Sequence, residues 1–371
     1  MPTFCRHGRF LERCPICSKT LPGHAPARRA QGGGSPGVAR GASSRASSGS
    51  SGARSRSRAE GLKVRRESRE GDDGYRSELV PGLRSSADAI HLAREISFAA
   101  GRLVALAADP PGLYGEARAL GAAGEIERAT WLCLLIAYLS PLEEEDPFAG
   151  IRTALDGSGA ADGAPEAAGA TGWRVPRTEA ELPGLQDVPL GPRSSHDPAR
   201  GSETLAAYLQ WVARGGTSAA QASGPEGSAA PASQSEAFTG DPGWTPERRF
   251  ERIFERLALP GFGRMGRYEL LLILGRLGLY DLRPGSLHLG TVRGSSSEDP
   301  ATVAGKRVFG IGDPILLERR AKALAEAVAV PVEALDLALY NWAAPERATL
   351  AFPGESGDPG ALERAESALG V

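Results

Sequence analysis

Residues 26–61, PARRAQGGGSPGVARGASSRASSGSSGARSRSRAEG, contain a single large aliphatic side chain, Val38. A tract this poor in apolar surface cannot offset the entropy of ordering itself, so it reads as a flexible tether. Low complexity returns twice, in DGSGAADGAPEAAGATG and GGTSAAQASGPEGSAAPASQSEA, which flank the short helical pattern SETLAAYLQWVARG. The chain therefore divides into an N-terminal segment 1–20, a linker 21–76, and a domain 77–371 with insertions near 156–172 and 215–240.

Within the domain the pattern is helical. SADAIHLAREISFAAGRLVALAAD places Ile90, Ala93, Ile96, Leu103 and Leu106 near a 3.6-residue period, and EIERATWLCLLIAYLSPLEEEDPF supplies a second apolar helix. Thr245-Pro246, Asp313-Pro314 and Asp358-Pro359 each set a capping oxygen before a proline at the first helical position. No segment alternates like a strand with hairpin signals. The expected fold class is all-α.

The formal net charge of −2 excludes a polycation, but the linker is locally basic, with Arg28, Arg29, Arg54, Arg56 and Arg58 among its cations. Arginine predominates over lysine throughout the sequence, so this bias also fits a GC-rich genome. The longest apolar run, Trp131–Leu139, is about half of the roughly 20 residues that cross a bilayer. No membrane span is expected. With no apolar leader core at its start, the chain is read as cytoplasmic with reduced thiols.

Three of the four cysteines fall in CRHGRFLERCPIC. Cys14 and Cys17 form a C-x2-C knuckle in which two thiolates can reach one ion, and Cys5 with His7 can complete a closed tetrahedral set, which suits a structural Zn2+. His24 is a possible substitute for His7. The alternatives are a redox disulfide between Cys14 and Cys17, which normally opens a helix in a βαβ setting that nothing in the sequence suggests, and a cluster with no ligand at all. About twenty residues bury too little to fold alone, so the metal would supply the folding energy. Cys133, inside WLCLLIAYL, reads as a packed apolar residue.

RFERIFERLALPGFGRMGRYELLLILGRLGLYDL reads as helix, tight turn, helix. Gly261 and Gly263 bracket Phe262, so backbone N–H groups at the start of the second helix can face a phosphate. KRVFGIGDPILLERRAKALAEA repeats the device with Gly310 and Gly312. Asp313 argues against phosphate there because its carboxylate would take the same donors. For each turn the plain alternative is an ordinary helix connection. The candidate DNA contacts are Gly261, Gly263, Arg264, Gly310 and Gly312.

LALPGFGRMGRYELLLILGRLGLYDL resembles the Leu-Pro-Gly-x-Gly hairpin of helix-hairpin-helix DNA glycosylases, and WLCLLIAYLSPLEEEDPF resembles the Leu-Ser helix near the start of their catalytic core. Taken with CPIC, KRVFGIGDP and ALDLALYNW, the chain is similar to the alpha-glutamyl/putrescinyl thymine pyrophosphorylases, clade 3. The resemblance implies a glycosylase-like helical domain acting on DNA that carries pyrophosphorylated 5-hydroxymethyluracil. An amino acid or polyamine amine would replace the pyrophosphate, after extrusion of the base.

It also implies a carboxylate beyond the hairpin. Asp281 is the nearest match, although the Asp-Thr-His-Val surroundings are absent and a turn aspartate is the alternative. Asp336 is the second catalytic candidate, because an acid on an apolar helix face is costly unless paired. Glu143, Glu144, Glu145 and Asp146 follow the Leu-Ser element, but a carboxylate run of this kind is most often a solvated helix end. Trp131, Tyr340 and Trp342 could stack on a base; core packing is the competing role. The rival functions are a non-catalytic DNA-binding protein and a protein adaptor, and a pocket lined by a carboxylate and an aromatic separates an enzyme from both.

Overall fold

The computed structural model describes residues 71–157, 175, 189–200, 203–216, 233–290, 299–353 and 357–371. Among them the regular structure is helical, with no strand. The Cys5, His7, Cys14 and Cys17 set, His24, and linker residues 21–70 lie outside the described residues.

Among the described residues the α-helices are α1 Ser86–Ala108, α2 Gly112–Ala122, α3 Ile126–Leu139, α4 Ala149–Gly157, α5 Glu203–Ala213, α6 Gln234–Thr239, α7 Pro246–Arg256, α8 Arg264–Arg276, α9 Pro300–Phe309, α10 Pro314–Val328, α11 Ala334–Ala343 and α12 Pro359–Leu369. α3 is buried from Ala129 to Leu139. A helix that is apolar all round has to be enclosed, and α3 is packed by α2, α4, α6 and α8. Trp131 and Cys133 lie in this core as packed residues. α1 lies against α11 and α12, α9 joins α11, and α1 also touches α8, so the two helix groups share one interior.

The local signals behave as the residues dictate. Thr245 accepts from Arg248 N, Asp313 from Leu316 N, and Asp358 from Gly360 N and Ala361 N. Asp299-Pro300 caps α9 in the same way through Thr302 N at 2.8 Å.

Two boundaries differ from the sequence reading. The Tyr75 hydroxyl donates to Leu369 O at 2.6 Å, and Asp73 accepts from Ser86 N at 2.9 Å, so ordered contacts begin before residue 77. The second insertion ends early as well. Ser233 and Glu236 form a reciprocal capping box on α6, which buries Ala237 and Phe238.

Candidate functional site

α7, the turn 257–263 and α8 form the helix-turn-helix expected from the sequence. Gly261 has φ +74°, a left-handed conformation that glycine adopts without steric cost. Phe262, between the two glycines, is buried and meets Tyr138 edge-on. Gly263 is the N-cap of α8 and supplies no side chain to its N–H groups. A Cβ at Gly263 would meet open space.

Arg264 does not face outward with that turn. As the first residue of α8 it projects into the protein, where its side chain is fully buried. Its Nε lies 2.9 Å from Asp299 and its Nη2 donates to Asp336 Oδ1 at 2.6 Å. The other Asp336 oxygen accepts from Arg193 Nη2 at 2.5 Å. Two guanidinium groups and two carboxylates therefore form a charge-balanced cluster in the interior. Burial pushes the Asp336 carboxyl up, and Arg264 and Arg193 outweigh it, holding the group below the usual carboxylate range. Arg264 thus faces the interior and not the outer side of the turn, and both Asp336 oxygens are engaged by guanidinium groups.

The cluster holds a loop. Arg264 Nη1 donates to Leu287 O at 2.9 Å, and Tyr268 Oη to Ser286 O at 3.2 Å. From α10, Glu318 accepts Leu287 N at 2.8 Å and Leu289 N at 2.5 Å. Between these anchors His288 has φ +55°, which a non-glycine residue adopts at a cost. Its ring stacks on Phe254, with centroids 4.1 Å apart, and lies 6.2 Å from Phe250. Burial, then Arg264 and Arg267, push its pKa down to about 4. The imidazole is therefore neutral at physiological pH.

His288 lines a cavity of about 530 Å³ together with Phe250, Ser286, Arg248, Arg252 and Lys322. Glu247 and Glu251 also border it. His288 was missed by the sequence reading, where a lone histidine in GSLHLG carries no spacing signal.

Asp281 sits elsewhere. α8 has 13 residues, hence is about 20 Å long, and Asp281 follows its C-terminal end while Gly263 precedes its start. The carboxylate is mostly exposed and takes Arg249 Nη1 at 3.0 Å. Arg249 also donates to Asp281 O, Thr239 O and Trp244 O, so this contact ties three turns together. Asp281 does border a larger cleft, about 780 Å³, with Arg276, Tyr280, Arg283 and Glu333.

The second glycine turn is a helix end. Gly310 terminates α9 at φ +64°, and Gly82 N donates to Val308 O at 2.9 Å beside it. Asp313 Oδ1 occupies Leu316 N at 3.0 Å, as its chemistry suggested. A packed helix terminus with its following helix already capped offers few donors to phosphate.

Tyr340 is buried with its hydroxyl on Pro192 O, and Trp342 donates to Asp88 O, so both pack rather than stack on a base. Glu143, Glu144 and Glu145 are exposed, and Asp146 pairs with Arg152 on the surface. Among the described residues no cluster of histidine, cysteine or acidic side chains is arranged to hold a metal, and no helix is long and apolar enough to cross a membrane.

Residues 195–352 match the family model of the alpha-glutamyl/putrescinyl thymine pyrophosphorylases, clade 3. No curated protein and no solved structure matches the chain. The matched stretch takes in the α7–α8 turn, Arg264, His288, Asp299 and Asp336, and ends just past α11.

Proposed function

We propose that this chain is an enzyme of thymine hypermodification that works on DNA. The supporting observation is that the family match over residues 195–352 falls on the α7–α8 turn and on the buried cluster that holds the His288 loop. In the proposed reaction, the carbon–oxygen bond joining pyrophosphate to the 5-methylene carbon breaks, and its electron pair leaves on the pyrophosphate. The lone pair of an amine, from an amino acid or polyamine, forms the new carbon–nitrogen bond. The amine's surplus proton passes to solvent.

The domain acts as a helix-hairpin-helix, glycosylase-like body. The N–H groups that open α8 beyond Gly263 meet a DNA phosphate, aided by the helix dipole. Asp336 serves as a positioning residue, because the ion pair on its Oδ1 reaches the His288 loop through Arg264, while Arg193 engages its other oxygen. Asp281, at the rim of the larger cleft and at the far end of α8 from the hairpin, takes no part in this bond exchange and holds its turn through Arg249. Cys5, His7, Cys14 and Cys17 hold one structural zinc, and the basic linker adds affinity for the DNA backbone.

The reading is tested by pyrophosphate release. Full-length protein is mixed with duplex DNA containing pyrophosphorylated 5-hydroxymethyluracil, with glutamate or putrescine present. Release that depends on both the modified base and the amine is the expected result. DNA binding whose affinity falls by roughly 0.9 log units per log unit of salt for each phosphate contacted, without release, would instead indicate a DNA-binding protein with no catalysis.

A further inference from the structure

We propose that the cavity between α7 and the Gly285–His288 loop is the receptor for the extruded base, with His288 as the platform on which the pyrimidine stacks. The inference rests on the function proposed above and names the place where its substrate sits.

Four observations lead there. The loop is anchored on both sides of His288, by Tyr268 and Arg264 at the carbonyls of Ser286 and Leu287 and by Glu318 at the N–H groups of Leu287 and Leu289. Anchoring of that kind can maintain a φ of +55° that would otherwise relax. The charges behind it are buried, and burying paired charges gains little stability over apolar packing, so placement of the loop is a better account of the cluster than stability. The imidazole stacks at 4.1 Å on Phe254, itself close to Phe250, so a base placed on His288 would extend an existing stack of flat rings.

The cavity also has the right dimensions and charge. Its volume of about 530 Å³ lies within the range of small-ligand sites. Arg248, Arg252 and Lys322 outnumber Glu247 and Glu251 in its lining, so a net positive charge can face the pyrophosphate as its charge grows on departure. The return of the chain from Leu282 to Leu289 along α8 puts this ring on the hairpin side of the helix, whereas Asp281 stays at the far end.

The test is photocrosslinking of the full chain to a duplex carrying one 5-iodouracil, whose halogen stands where the thymine methyl does. Aromatic residues stacked on that base form the adduct, which is mapped by peptide mass spectrometry. The expected adduct is at His288. In His288→Asn, which tolerates a left-handed backbone, the melting temperature should hold while the yield falls at least tenfold. An adduct at Tyr280 in the larger cleft, or no adduct at position 288, would overturn the proposal. An adduct at His288 in a protein that releases no pyrophosphate would keep the pocket and remove the reaction assigned to it.

Discussion

Asp336→Ala should destabilise the protein by about 3–5 kcal/mol, the penalty for breaking a buried ion pair by removing one partner. Both Asp336 oxygens are engaged, one by Arg264 and one by Arg193, and all three side chains are nearly inaccessible. Truncation leaves one carboxylate, Asp299, against two buried guanidinium groups. Water has no easy route to the orphaned charge, so the cost cannot be screened away. Arg193 is the more sensitive to this loss, since among the described residues its Nε and Nη1 have no hydrogen-bond partner and its guanidinium otherwise lies over the Tyr340 ring. Asp336→Asn keeps the shape and one carbonyl acceptor and should fall between the two. Urea denaturation of the three proteins checks the order, and an alanine variant with the wild-type midpoint would show that the cluster is not held by Asp336.

Gly261→Val should be nearly as damaging, for two separable reasons. The backbone at φ +74° strains a β-branched residue by about 1–3 kcal/mol. A Cβ there would also lie 2.1 Å from Thr204 Oγ1 and 3.3 Å from Arg200 Cδ. Thr204 is buried at the start of α5 and has little room to turn away, which adds an overpacking cost of about 1–3 kcal/mol. Thr204→Ala in the same chain removes the oxygen and should restore the second part only. Thermal melts of the single and double variants check this, and full recovery in the double variant would mean that the left-handed backbone costs nothing.

How much of this was legible depends on the range of the interaction. The caps at Thr245, Asp313 and Asp358 are made within three residues of the capping oxygen, so the sequence displays them directly. The enclosed α3 was legible because its residues are apolar on every face, and Asp313 announced its own competition for the N–H groups of α10. The cluster is different. Asp336 meets Arg264 across 72 residues and Arg193 across 143, and no local pattern encodes such a meeting. Asp336 stood out as an acid on an apolar face, which marked it as important but not as an inward-facing anchor. Arg264 looked available because it follows the glycine turn, and only the direction of the first turn of α8 sends it inside. His288 was hidden because its significance comes from φ, from Glu318 on a distant helix and from the rings of α7. α6 was obscured by the Ser- and Ala-rich residues before it, although its capping box was present in the sequence.

The proposed reaction would form a carbon–nitrogen bond at the 5-methylene carbon of a thymine-derived base in DNA. The direct measurement is mass spectrometry of nucleosides digested from pyrophosphorylated 5-hydroxymethyluracil DNA after incubation with the full-length protein and isotopically labelled glutamate or putrescine. The expected product is a new nucleoside whose mass is that of 5-methylene-deoxyuridine joined to the labelled amine, with matching loss of the pyrophosphorylated one. Recovery of the pyrophosphorylated nucleoside unchanged with every amine supplied, by protein that is folded and bound to the DNA, would contradict it.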